Sequence, residues 1–468
     1  MEFLRSVMWV AAGRWAHSLL SLLSFAIIVA RISPEAYGAY ALASTVLILA
    51  EVFGTDVTEQ AIVRHNGTET AALGSGLLVA CLGAALIGAP TLLMGLLIAR
   101  WQSDGLTGQL LIALSGVVLL QAAASLARGR MLRAGHMRSF ALALGVGNLF
   151  GASVGIVGVM HGLGIWGLVL QQATLNFAIA VMGKAGLSFR LGNCPSDERT
   201  EQVRFALYGL ASSALNITSN RIDVVLAAIF FGQAGAGAYG LAKRLVQILQ
   251  DLLSSAFDKA LVSFLNRNRG RVGKAASAAL LGQAILTFPA FAGFALPAPS
   301  LVPAIFGSDW AEAALIVPAM ALGGIFRAAV ALERAQQVFD GQIRRIALVR
   351  LGELLLGFAL LWPIAPLGLV WLGAGFSLRY AISYLLVVRS ATSPMEFRKR
   401  LATSAESLAC PFVATLVMAG AVVLVSLVLP LSTLATAVVQ TTLGAAVYLT
   451  LIWRMRRNWW PQFASLAR

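Results

Sequence analysis

Gly38-Ala-Tyr-Ala-Leu-Ala43 returns 199 residues later as Gly237-Ala-Tyr-Gly-Leu-Ala242. Each hexapeptide opens a long apolar run. Two further pairs keep the same order. Gly135-His-Met-Arg138, followed by Ala141 and Leu142, returns 206 residues later as Gly341-Gln-Ile-Arg344, followed by Ala347 and Leu348. Leu163-Gly164-Ile165 returns 204 residues later as Leu367-Gly368-Leu369. Three ordered matches at nearly constant offset describe one unit used twice.

The runs around these motifs set the class. Apolar residues make up 59% of the 468 positions and charged residues 12%, against about half and about a quarter in soluble domains. A membrane-spanning helix takes about 20 apolar residues, so fourteen of them account for the apolar content. A closed barrel would show short alternating segments instead. The pattern predicts helices at about 7–29, 38–59, 71–99, 106–127, 139–160, 163–183, 205–231, 237–257, 276–297, 311–332, 346–364, 367–388, 406–429 and 431–453. Six helices separate equivalent motifs, so the repeat is parallel, about an axis along the membrane normal. The expected fold is an all-α membrane protein with two six-helix lobes, 1–190 and 200–392. Two more helices and a cytoplasmic tail follow over 402–468. The polar break at 184–204 reads as the linker between lobes. The first 30 residues read as a retained first helix, because they lack a compact basic start with a small-residue cleavage site.

The net charge of +15 raises nucleic acid as a partner, and the positions of the charges exclude it. With the N-terminus inside, 26 of the 35 Lys and Arg residues fall in inside segments and two, Arg31 and Arg100, outside. Arg128, Arg130, Arg133 and Arg138 are read as one inside loop. The asymmetry follows the positive-inside rule. It places both termini in the cytoplasm, with the basic loops facing anionic lipid.

The other seven basic residues, Arg14, Arg221, Lys243, Arg244, Arg327, Arg350 and Arg379, fall inside helices, where a charge needs a partner or water. Polar residues form stripes on four helices at helical spacing. The first carries Arg14, His17, Ser21 and Ser24. The second carries Ser44, Glu51, Thr55 and Thr58, with Asp56 beside them. The seventh carries Ser213, Asn216, Asn220 and Asp223, and the eighth Lys243, Gln247, Gln250 and Ser254. Facing one another, these helices would line a water-filled cavity between the halves. Arg14, His17, Arg221, Asp223, Lys243 and Arg244 are the candidate substrate-binding residues. A positive cavity suits an anionic ligand, and Arg and Lys bind phosphate. Glu51, Asp56 and Asp223 are candidate proton or sodium sites if transport is ion-coupled.

Plainer readings stand beside these. Arg350 and Glu353, at i and i+3, can neutralise each other. Arg327 and Arg379 can snorkel or pair locally. Asp223 can form a structural pair with Lys243 or Arg244, and His17 can be a satisfied core residue. The sequence has no P-loop and no paired-histidine motif, and Cys81, Cys194 and Cys410 lack metal spacing. No enzyme, cofactor or metal site is expected. The outside loops are too short for the catalytic domain that a membrane glycosyltransferase or polymerase would need.

Four segments in order resemble the polysaccharide-export flippases of the Wzx type. They are Ala30-Arg-Ile-Ser-Pro-Glu-Ala-Tyr-Gly-Ala-Tyr40, Gly162-Leu-Gly-Ile-Trp-Gly-Leu-Val169, Asn220-Arg-Ile-Asp223 with Gly237-Ala-Tyr-Gly-Leu-Ala-Lys-Arg244, and Ile305-Phe-Gly-Ser-Asp-Trp310. The similarity spans the first twelve helices; the last two are generic. The resemblance implies the superfamily that also holds multidrug exporters and the lipid II flippase, with two six-helix lobes forming a V around a central cavity. It implies transfer of an undecaprenyl-diphosphate-linked oligosaccharide from the cytoplasmic to the periplasmic leaflet, for exopolysaccharide or lipopolysaccharide O-antigen synthesis. Arg14, Arg221, Lys243 and Arg244 fit the cationic cavity residues of diverged members. A polysaccharide polymerase and a chain-length regulator are the implied protein partners. The alternative of the same fold is a cation-coupled multidrug exporter, which would favour a more acidic or apolar cavity.

Overall fold

The computed structural model describes residues 20–65, 67–101, 105–183, 198–267, 272–339, 343–391, 394–428, 433–456 and 460. Arg14 and His17 lie outside them. Among the described residues the regular structure is helical throughout. The helices are α1 (Leu20–Val29), α2 (Pro34–Val63), α3 (Glu69–Trp101), α4 (Leu106–Arg133), α5 (Met137–Met160), α6 (Trp166–Met182), α7 (199–231), α8 (233–267) and α9 (Val272–Ala295). After a short helix at Ala298–Phe306 come α10 (Ala311–Phe339), α11 (Ile343–Ile364), α12 (Leu369–Ala391), α13 (Pro394–Val428) and α14 (Thr433–Arg454). Only Leu20–Val29 of the first predicted span is described, and the other thirteen helices stand where the apolar runs place them. By length and hydropathy, ten continuous helical stretches among the described residues can cross a membrane. One of these, Arg199–Leu253, holds both α7 and α8, which are separated by Gly232 at φ 69°, a backbone conformation suited to glycine.

Local chemistry sets the starts. Ser33 caps α2 by accepting the Ala36 N–H, and Pro34 occupies the first turn, where no amide hydrogen is needed. Thr68 caps α3 through the Ala71 N–H, with Glu69 in its first turn against the positive end of the helix.

The chain forms two compact units, Met1–Ala228 with Gly232–Gly237, and Ile229–Phe231 with Ala238–Arg468. Within the first, α4 runs against α2, α3 and α6, while α5 lies along α6. Helix α7 belongs here too: Val57 of α2 fills the space beside Gly209, where a Cβ would lie 2.4 Å from its methyl group. The division in space therefore falls at 228–238, one helix after the polar break at 184–204.

The leading glycines of the two motif copies, Gly38 and Gly237, meet inside this unit. A Cβ on Gly38 would stand 1.8 Å from the carbonyl oxygen of Gln233, and one on Gly237 would stand 1.9 Å from that of Pro34. No other residue type allows both approaches. The Gln233 side chain also donates to Thr107 Oγ at 3.2 Å.

In the second unit α10 packs against α9 and α12, and α11 against α12. Helices α13 and α14 pack on each other, and α13 on α9. Tyr448 of α14 donates to the Ile285 carbonyl of α9 at 2.8 Å, closing a core of Ala414, Met418, Tyr448 and Ile452.

Candidate functional site

Helix α2 widens into a π turn over Gly54–Thr58, in which the Glu59 N–H reaches back to the Gly54 carbonyl. The extra residue changes which side chains share a face. Glu51, Thr55 and Asp56 are exposed, while Phe53, Gly54, Val57, Thr58 and Glu59 turn inward. The exposed face of α3 is apolar by contrast, with Leu92, Leu93, Met94, Leu96 and Leu97. A carboxylate facing hydrocarbon costs at least about 2.5 kcal/mol, so this face of α2 fits water. π turns recur at functional sites for the same reason: they re-aim side chains.

Below that face lies a network that the sequence reading missed. Arg128, Arg130 and Arg133 are not loop residues. Helix α4 continues through all three, and the first two are buried. Arg128 Nε donates to Glu59 Oε1 at 2.6 Å, with both residues buried. Arg130 Nε donates to Glu69 at 2.9 Å. Arg133 donates to the carbonyls of Ile62, His65 and Gly67, and so supplies hydrogen bonds to carbonyls that the end of α2 leaves unfilled. His65 in turn meets Glu198 at 2.8 Å. The signal was in the sequence as Glu59 and Glu69 on either side of the α2–α3 turn, with three arginines at the next end of the same sign. A helix whose terminal charges have partners has no reason to stop before them.

The other candidates divide between the units. Arg221 and Asp223 of α7 belong to the first. Asp223 is fully buried and accepts the Val224 N–H at 3.0 Å, while Arg221 is half-buried. One turn earlier, Asn220 donates to the Asn216 carbonyl at 2.9 Å. Lys243 and Arg244 of α8 belong to the second unit. Lys243 is buried with its ammonium 5.5 Å from the centre of the Phe376 ring, and Arg244 is half-buried. Phe376 stacks edge-on against Tyr380 at 4.9 Å. Arg327 and Arg379 lie 5.9 and 5.8 Å from the Tyr380 ring. Helix α12 therefore carries an aromatic pair ringed by three cations from α8, α10 and α12 itself. Arg379 is buried against Gly357 of α11. Among the described residues no three His, Cys, Asp or Glu side chains converge to hold a metal ion.

Comparison with known proteins places this architecture. The sequence model of the family described as polysaccharide biosynthesis protein matches residues 28–315, more than half of the chain. The chain belongs to this family. Among its relatives, the succinoglycan biosynthesis transport protein ExoT of Rhizobium meliloti (strain 1021) is 26% identical over 415 residues, covering 83% of this chain and 78% of that one. Among solved structures, the lipid II flippase MurJ in an inward closed conformation superposes with a TM-score of 0.73 at 14% identity, over 96% of this chain and 99% of that one. An inward-facing multidrug transporter of the MATE family superposes with a TM-score of 0.64 at 16% identity, over 83% and 96%. The chain thus has the fold of these proteins and is a multi-pass membrane protein.

Proposed function

We propose that this chain flips an undecaprenyl-diphosphate-linked oligosaccharide from the cytoplasmic to the periplasmic leaflet. The diphosphate and sugars are taken by polar and cationic side chains of the striped helices, while the polyprenyl tail stays in lipid. Two access states alternate. No bond is made or broken; the protein lowers the cost of moving a polar head through hydrocarbon. Membership of the polysaccharide family supports the substrate class. The observation that carries the reading is the exposed Glu51-Thr55-Asp56 face within an otherwise apolar span, a hydrated surface that a purely structural helix does not need. Arg14, His17, Arg221, Asp223, Lys243 and Arg244 are the proposed head-group residues, and Glu51, Asp56 and Asp223 the proposed coupling carboxylates.

The test is purified protein in vesicles loaded with a labelled polyprenyl-diphosphate sugar, with leaflet exposure read by an added sugar-modifying enzyme. Wild type should expose the label. The Arg14→Ala, Arg221→Ala, Lys243→Ala, Arg244→Ala quadruple variant should lose most of the rate, and full flipping by it would sink the cationic-site reading. Export of cationic drugs without lipid flipping would instead establish the multidrug exporter, which the shared fold also accommodates.

A further inference from the structure

Two π turns face each other in the first unit, Gly54–Thr58 of α2 and Ala84–Gly88 of α3. The Phe53 ring lies so close to Gly83 that a Cβ there would be 2.2 Å from it. Beside this contact is a small cavity lined by Ala50, Phe53, Gly54 and Thr58 of α2, residues of α3 around Gly83, and Val118, Ala122 and Ser125 of α4. It has room for about one water molecule.

Two buried polar atoms at this place have no partner. Thr58 Oγ1 is one, on a residue 1% exposed, and Arg128 Nη2 is the other, on a residue 9% exposed. Arg128 Nη2 points toward the cavity wall: a Cβ at Gly54 would lie 3.7 Å from it. The Ser125 hydroxyl is already spent on the Ala122 carbonyl at 2.7 Å. A buried donor without an acceptor is costly, and the cavity, apolar over most of its wall but edged by Thr58 and Ser125, is just large enough for one water to supply that acceptor. The same guanidinium holds Glu59 through Nε.

We propose that Glu59 is a proton-binding site, supplied by a water that Thr58 and Arg128 hold in this cavity. A hydronium at the cavity gives its proton to the Glu59 carboxylate. One O–H bond forms on the carboxyl group, one breaks in the hydronium, and water remains. Arg128 stays charged and loses an anionic acceptor. The water oxygen takes an Arg128 N–H in exchange, held in turn by the Thr58 hydroxyl, so the arginine is not stranded when Glu59 becomes neutral. The charged groups acting on Glu59 are Arg128 of α4 and, on its own helix, Asp56 and Glu51. Further along the same end Glu69 and His65 are taken up by Arg130 and Glu198. The proposal rests on the transport reading only for what the proton drives.

Infrared difference spectroscopy of the full-length protein in lipid, titrated over about pH 5 to 8, reads the site without any transport. A protonated-carboxyl band should appear on acidification and be lost in Glu59→Gln. In Thr58→Val, which keeps Glu59 and removes the spare hydroxyl, the midpoint should move to lower pH by about half a unit to one unit, the size of one hydrogen bond. An identical spectrum in Glu59→Gln overturns the proposal. If that variant does not fold, an unmoved midpoint in Thr58→Val overturns it instead. A Glu59 band in a protein that moves no lipid would leave the proton site standing and sink the flippase reading. Flipping without the band would do the reverse.

Discussion

Buried cations of the first unit meet carboxylates, while cations of the second lie beside aromatic rings. Arg128 and Arg130 meet Glu59 and Glu69, whereas Lys243, Arg327 and Arg379 lie around Phe376 and Tyr380. The sequence repeats across the two halves, yet the chemistry does not. A carboxylate partner can take up a proton, and a ring face cannot. The Glu59–Arg128 pair therefore gives the first unit a cation whose partner can change charge.

The largest effect should come from splitting the buried pair. Arg128→Leu leaves Glu59 buried and unpaired and should cost about 3–5 kcal/mol, read as a fall in melting temperature in detergent. Adding Glu59→Leu to it should recover much of the loss, since an apolar replacement of a buried pair is often nearly neutral. A double variant as unstable as the single would mean that the site depends on shape and not on charge. Gly38→Ala should cost about 1–3 kcal/mol, because the Gln233 carbonyl must move. Phe376→Leu in the second unit should cost about 1–2 kcal/mol by removing the ring face under Lys243. It should leave the pH dependence of the protein untouched, and a changed pH profile would erase the contrast between the units. The smallest effect belongs to Arg456, whose guanidinium lies 4.8 Å from the exposed Trp453 ring. Arg456→Ala should cost about 0.5–1 kcal/mol in the same melting assay.

The helices were legible because hydrocarbon imposes one rule, about 20 apolar residues for each crossing, and ten continuous stretches among the described residues meet it. Their ends were less legible. Arg128, Arg130 and Arg133 look like the end of a span only when their partners are unseen, and those partners lie some 60 to 70 residues away. The polar stripes were real as spacing but ambiguous as direction. Lys243 has the same place in its stripe whether it faces water or, as here, the Phe376 ring. The π turn at Gly54–Thr58 was invisible, because nothing in Gly-Thr-Asp-Val-Thr requires an added residue per turn. It is nonetheless what brings Asp56 onto the Glu51 face and turns Glu59 toward Arg128.

The backbone contact between Gly38 and Gly237 also bears on how the protein is made. Helix α2 cannot finish packing its start until a segment about 200 residues downstream exists, and at about 5–20 residues per second that takes about 10 to 40 s. During that time the membrane holds half of the chain with its tightest backbone seam unmade. The nascent chain must survive on its individual helices, and the contact closes as a late step of synthesis.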